Sequence, residues 1–200
     1  MSSPQQQPVS RRERNKQDKL ARITAAASEL FLERGVDDVT TQQIAEKADI
    51  GTGTLFLYAK TKGELLLLVQ NSTYREALAR GRESAAGIDD TLGAVMAVVR
   101  PVVECNRKQV DNGRTYLREI VFGDPQEPHH AVALELIAET ESEIASILTR
   151  DSAVEPERAA LMAHVVSAIM FVSMAATINI DKAVDDVVAE IEAQVRSVLS

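Results

Sequence analysis

The sequence predicts an all-α protein: an N-terminal three-helix head followed by a larger helical body, about nine helices in total. Three observations predict it. Only 4% of the 200 residues are aromatic and 45% are hydrophobic, with Ala, Val, Leu and Glu dominant, which favours helices over sheet and is enough for a core. Apolar residues recur at helical spacing in successive segments. The breaks between those segments fall at Gly87, Gly113, Gly123-Asp124-Pro125 and Asp151 to Pro156.

Taken in order, residues 1–15 are expected to be a flexible basic arm. Met1 to Arg14 carries no apolar core after its basic residues, so it is not a secretory signal. Arg11, Arg12, Arg14, Lys16, Lys19 and Arg22 stand close together; such a run suits a phosphate backbone and suits a solvated helix face equally well. Helix one runs from about Lys16 to Arg34, with Leu20, Ile23, Ala27, Leu30 and Phe31 on one face and Gly35 as its C-terminal stop. Thr40 and Gln43 form a capping box, in which each side chain satisfies an orphan amide of the other. Helix two starts there and carries Ile44, Ala45 and Ala48. Asp49 and Gly51 then permit a tight turn, and a second short helix from Thr52 to about Tyr58 sets Leu55 and Phe56 against Ile44 and Ile50. A supporting helix followed by two short helices about a tight turn describes a helix-turn-helix head over 16–62, with the motif at about 40–59. Beyond it, helices are predicted at roughly 63–85, 89–110 (bent or split at Pro101), 113–122, 128–149, 156–178 and 183–199.

The net charge of −8 at first argues against a nucleic-acid partner, but its distribution matters more than its sum. Residues 1–62 hold ten basic and eight acidic side chains, a net +2; the rest holds 12 and 22, a net −10. A near-neutral to basic head therefore sits on an acidic body. The single cysteine, Cys105, rules out an intrachain disulfide and a thiolate zinc cluster, and fits a reducing, cytoplasmic setting. Catalysis is not expected. The one Glu-x-x-His spacing, Glu127 to His130, contains Pro128 and has no second copy, and no phosphate-cradling Gly loop or zinc-protease motif is present. No catalytic residue, metal or cofactor is assigned. The apolar run Ala159 to Ile178 is long enough to span a bilayer, yet it is Ala-rich and flanked by soluble sequence, so it reads as a buried helix needing a partner on each face, with no membrane.

The stretch Thr40-Thr41-Gln42-Gln43-Ile44-Ala45-Glu46-Lys47-Ala48-Asp49-Ile50-Gly51-Thr52-Gly53-Thr54-Leu55-Phe56-Leu57-Tyr58 resembles the DNA-binding signature of the TetR family of transcriptional regulators. The match extends back through Ala26 to Gly35 and forward through Lys62-Gly63-Glu64-Leu65-Leu66. It departs at Asp49, where the family has Gly, at Gly51 in place of a Ser cap, at Ala59 in place of Phe, and at Gly63 in place of Glu.

The resemblance implies a cytoplasmic, nucleoid-associated bacterial regulator, usually a repressor, that binds double-stranded palindromic operator DNA and is released by a small-molecule effector of unknown identity. A groove-entering helix needs small residues at its leading end and short hydroxyls within reach of bases, which Gly51, Thr52, Gly53 and Thr54 supply. Thr52, Thr54 and Leu57 are implied at base edges, and Thr41, Tyr58 and Lys62 at phosphates, with Gln43 a further candidate. Residues 63–200 would form the effector-binding and dimerisation body, with helices of about 156–178 and 183–199 pairing in a homodimer. Met96, Val99, Tyr116, Phe122, Met162, Met170, Phe171 and Met174 are candidate pocket-lining residues, although Met and aromatic residues at helical spacing also serve as plain core. The competing reading is a helical adaptor or scaffold whose head binds protein.

Overall fold

The computed structural model describes residues 10–150 and 154–200, and among them the regular structure is nine α-helices and one 3-10 turn, with no strand. Helix α1 spans Arg11–Arg34, five residues longer at its start than expected. The reason is Ser10, whose hydroxyl accepts the Glu13 amide at 3.2 Å and caps the helix, so that Arg11 to Asn15 are helical and not part of an arm. Residues 1–9 of the expected arm lie outside the described residues. Gly35 ends α1 at a positive φ of 79°, a backbone shape that favours glycine.

Helix α2 (Thr41–Lys47) begins with the expected capping box: Thr40 Oγ1 accepts the Gln43 amide at 3.2 Å and Gln43 Oε1 accepts the Thr40 amide at 2.9 Å. The turn that follows holds Asp49 at φ 52°, the one non-glycine residue with positive φ among those described. Helix α3 (Thr52–Leu55) is one turn long, three residues shorter than expected. Phe56 is 44% exposed and does not pack inward as expected, whereas Leu55 is fully buried. Successive helical residues point about 100° apart, so a single turn cannot direct both to one core.

Asp49 offers a direct test. Its αL geometry costs on the order of 1 kcal/mol for a residue with a Cβ, against an exposed 3.4 Å ion pair with Arg22 that is worth a few tenths. Asp49→Gly should therefore stabilise the protein by roughly 0.5–1 kcal/mol, read as a rise of about 1–3 °C in thermal midpoint. A fall in midpoint would show that the Arg22 contact outweighs the strain.

The body comprises α4 (Lys62–Ala85), α5 (Thr91–Arg107), α6 (Val110–Phe122), α7 (Pro128–Leu148), α8 (Pro156–Ala175), the 3-10 turn Thr177–Asn179 and α9 (Val184–Leu199). Pro101 does not split α5, which runs through it as one helix. Helix α4 joins the two parts, packing on α1 in the head and on α5, α6 and α7 in the body. It meets α5 closely at Gly81, where a Cβ would come within 2.9 Å of the Val98 backbone. Three buried polar contacts lock α4 to α6 and α7: Tyr116 donates to Asn71 Oδ1 at 2.9 Å, Asn71 Nδ2 donates to the His129 carbonyl at 2.8 Å, and Tyr74 and Thr140 hydroxyls meet at 3.0 Å. Burial pushes the Tyr74 phenol up to about 12 and the Tyr116 phenol well above its ordinary value, and it lifts the Cys105 thiol to about 11.

Within one chain, helix α8 is covered on only part of its circumference. Leu161 and Val172 are 70% and 67% exposed and Val165 faces solvent on the same side. In the single chain, one face of α8 has no cover.

Candidate nucleic-acid interface

Helices α2 and α3 build a small platform whose inner side is apolar. Ile44, Ala45, Ala48, Leu55 and Ala59 are all buried, and they seat the motif on Ile23, Ala27, Leu30 and Phe31 of α1. Ala59 fits that core without the larger Phe of the family pattern. The pairs Arg22–Asp49 at 3.4 Å and Lys47–Glu29 at 2.9 Å tie α2 and the turn to α1 from outside.

The outer side is open. Space around Gly51 and Gly53 is free to 4 Å from where a Cβ would stand, so another molecule can approach the backbone there. Gly51 serves as N-cap of α3 without a side-chain bond, which leaves the position of the missing Ser cap unobstructed. Thr52 and Thr54 are half-buried with hydroxyls available, Thr41 is half-buried at the start of α2, and Leu57 is 83% exposed. A leucine so placed has no packing role in the chain, and it can meet an apolar group such as a thymine methyl.

Beside this face, an open groove of about 950 Å³ runs between α3 and the first turns of α1. Arg11, Arg12, Lys16 and Lys19 line it together with Thr54, Leu57 and Tyr58, and Glu13 is the one acid among its lining. Four cations along a groove next to an exposed one-turn helix form a surface suited to a phosphate backbone. The sequence showed this basic run but did not place it against α3, since only the tertiary packing does so.

Three of the sequence-derived site residues have structural duties. The Tyr58 hydroxyl donates to the Lys16 carbonyl at 3.4 Å, bracing α3 against α1. Gln43 uses its carbonyl oxygen in the capping box and keeps its amide donors. Lys62 Nζ donates to the Val36 and Asp37 carbonyls at 2.9 and 3.0 Å, fastening the start of α4 to the α1–α2 loop, so its ammonium is already engaged.

The head is gripped from the body by residues that sequence reasoning did not single out. Asn112, buried near the start of α6, accepts the Val36 amide at 2.7 Å and donates to the Phe31 carbonyl at 2.7 Å. His129 Nε2, on α7, lies 3.0 Å from the Tyr58 carbonyl. A Cβ at Gly63 would stand 3.1 Å from the Glu119 carboxylate, so α6 and the start of α4 meet closely because residue 63 is glycine.

Among the eight candidate pocket residues, Met96, Val99, Tyr116, Met170 and Met174 are buried members of the core. Met162 opens on a cleft of about 350 Å³ between the end of α7, the start of α8 and the end of α9, and Phe171 on a groove of about 430 Å³ between α6 and α8. Phe122 does not line the interior: it is the last residue of α6, turned outward and 82% exposed.

Residues 23–69 match the family model for bacterial regulatory proteins of the tetR family. Comparison with curated protein sequences gives no match. Solved structures share the fold along almost the whole chain. FadR of Thermus thermophilus, a TetR-family transcriptional repressor in complex with lauroyl-CoA, is 22% identical over 90% of this chain and 92% of its own, with a TM-score of 0.69. The TetR-family regulator PfmR, also of Thermus thermophilus, is 19% identical over 89% and 97%, with a TM-score of 0.59. A fatty acid degradation regulator, FadR, of Bacillus halodurans is 15% identical over 91% and 95%, with a TM-score of 0.63. Residues 23–69 thus carry the sequence of a tetR-family head, and the chain as a whole has the fold of TetR-family regulators.

Proposed function

We propose that the chain is a sequence-specific repressor that occupies a palindromic operator as a homodimer and leaves it when a small molecule binds the helical body. The observation that carries this reading is the exposed face of α3 beside the basic groove of α1. Thr52, Thr54 and Leu57 are assigned to base edges, with Gly51 and Gly53 permitting close approach. Thr41, Tyr58 and Lys62 are assigned to the flanking phosphates, joined by Arg11, Arg12, Lys16 and Lys19, which the groove adds. Gln43 contributes its free amide donors. Lys62 acts chiefly by holding the loop that carries α2, with one remaining donor for an anion.

The uncovered face of α8 supports a homodimer through α8 and α9, since a two-fold partner would bury Leu161, Val165 and Val172. An effector that shifts α4, α6 or α7 would act on the head through Lys62, Asn112 and His129, changing the spacing of two recognition helices. The effector is assigned to the apolar residues of the body, among Met96, Val99, Tyr116, Met162, Met170, Phe171 and Met174, in space that would have to open between them. The lauroyl-CoA of the Thermus thermophilus neighbour makes acyl thioesters a reasonable first class to screen.

The adaptor reading is separated from this one by salt. Binding to a duplex, followed by fluorescence anisotropy, should weaken about 10³-fold or more between about 50 and 200 mM salt if six or more phosphates are neutralised. A flat response, or no binding at the lowest salt, would remove DNA as the partner of the head.

A further inference from the structure

The apolar surface of the body does not stop at α8. Ile178, within the 3-10 turn, is 80% exposed, and Val121 and Phe122 at the end of α6 are 58% and 82% exposed. The α6 end is continuous with α8, because Val121 and Phe122 share the 430 Å³ groove with Phe171 and Ala175, the neighbours of Val172. Together with Leu161, Val165 and Val172 these side chains leave on the order of 600 Å² of apolar surface in water, near the ~800 Å² that each partner gives to a standard interface and at the upper end for a monomer.

The charges of the groove indicate what covers it. Asp37 and Asp111 line it with Arg114 and Arg118, two of each sign. A two-fold interface sets a patch against its own copy, and a patch of balanced charge is complementary to itself, whereas a strongly basic or acidic partner would leave half of these charges opposed.

We propose that the dimer interface extends from α8 across the end of α6, so that Val121 and Phe122 of each copy are covered by its partner. This rests on the homodimer reading above and adds to it a consequence for regulation. Helix α6 is a single run of 13 residues. Near its start Asn112 holds the α1–α2 loop of the head, and at its end Phe122 is held by the partner. Pairing of the bodies and orientation of the heads are then linked through one helix.

The full chain lends itself to a thiol-protection test, because its only native cysteine, Cys105, is 5% exposed and buried in the core. Phe122→Cys probes the α6 end, Val172→Cys probes the α8 face, and Glu83→Cys, on the exposed side of α4, gives the unprotected rate. Each variant is sedimented and then reacted with a neutral maleimide at the same concentration. The expected result is a dimer in which the thiols at 122 and 172 both react at least about tenfold more slowly than the one at 83, since reaction requires dissociation. A Phe122→Cys protein that sediments as a monomer while Glu83→Cys remains dimeric supports the proposal equally. A dimer with position 172 protected and position 122 as reactive as 83 overturns the extension and leaves the α8 dimer standing. A wild-type monomer with fast reaction at all three positions removes the homodimer reading and the extension with it.

Discussion

Replacing Gly53 with glutamate is expected to reduce DNA affinity by at least about 100-fold while leaving the folded protein as stable as before or slightly more so. The two effects separate because of where Gly53 stands. Nothing lies within 4 Å of its missing Cβ, so the free protein accommodates any side chain there. Glycine is also about 1 kcal/mol worse than other residues inside a helix, so the substitution gains propensity. On DNA the proposed reading puts the same position in the groove at closest approach. A carboxylate there meets phosphates and the acceptor edges of bases, and like-charge juxtaposition in a desolvated interface costs several kcal/mol. Thermal unfolding and fluorescence anisotropy on one preparation check both halves. Retained binding would mean that α3 is not the helix that enters the groove.

The second large effect is on stability, at the contact between α6 and the head. Asn112→Ala removes the acceptor of the buried Val36 amide and the donor to the Phe31 carbonyl. The carbonyl keeps a second partner, the Gly35 amide at 2.9 Å, but the Val36 amide is left buried without one. An unsatisfied buried donor costs about 1–3 kcal/mol and the second lost bond about 1 more, so a destabilisation of about 2–4 kcal/mol is expected. For a chain of this length that is a fall of roughly 5–15 °C in thermal midpoint, and amide exchange should rise first in the α1–α2 loop. A change below about 0.5 kcal/mol would show that α6 does not hold the head in solution.

Local chemistry was well legible in the sequence. The capping box at Thr40 and Gln43, the stop at Gly35 and the turn around Asp49 follow from rules that span three or four residues, and each is present as expected. The start of α1 obeys the same kind of rule, since Ser10 and Glu13 have capping spacing, but the dense basic run after Ser10 read as an arm and hid it. Contacts at long separation were not legible. Lys62 meets carbonyls 25 and 26 residues earlier, and Asn112 meets groups 76 and 81 residues earlier; no periodicity encodes such partners. Phe56 and Phe122 were placed by residue type, as aromatic side chains that belong inside, and both are turned outward by the point at which their helices end. The sequence of α8 requires partners on every side, and a single chain supplies them on only part of its circumference.

The most direct test of DNA reading by α3 is selection of bound sequences from random duplexes, run in parallel with the wild-type chain and with a Thr54→Ala, Tyr58→Ala double variant. Enrichment of a two-fold symmetric sequence by the wild type, lost in the variant, is the expected result. Enrichment of the same sequence by both proteins would contradict the assignment of α3 as the reading element, and enrichment by neither, at low salt and without added ligand, would contradict the DNA-binding function itself.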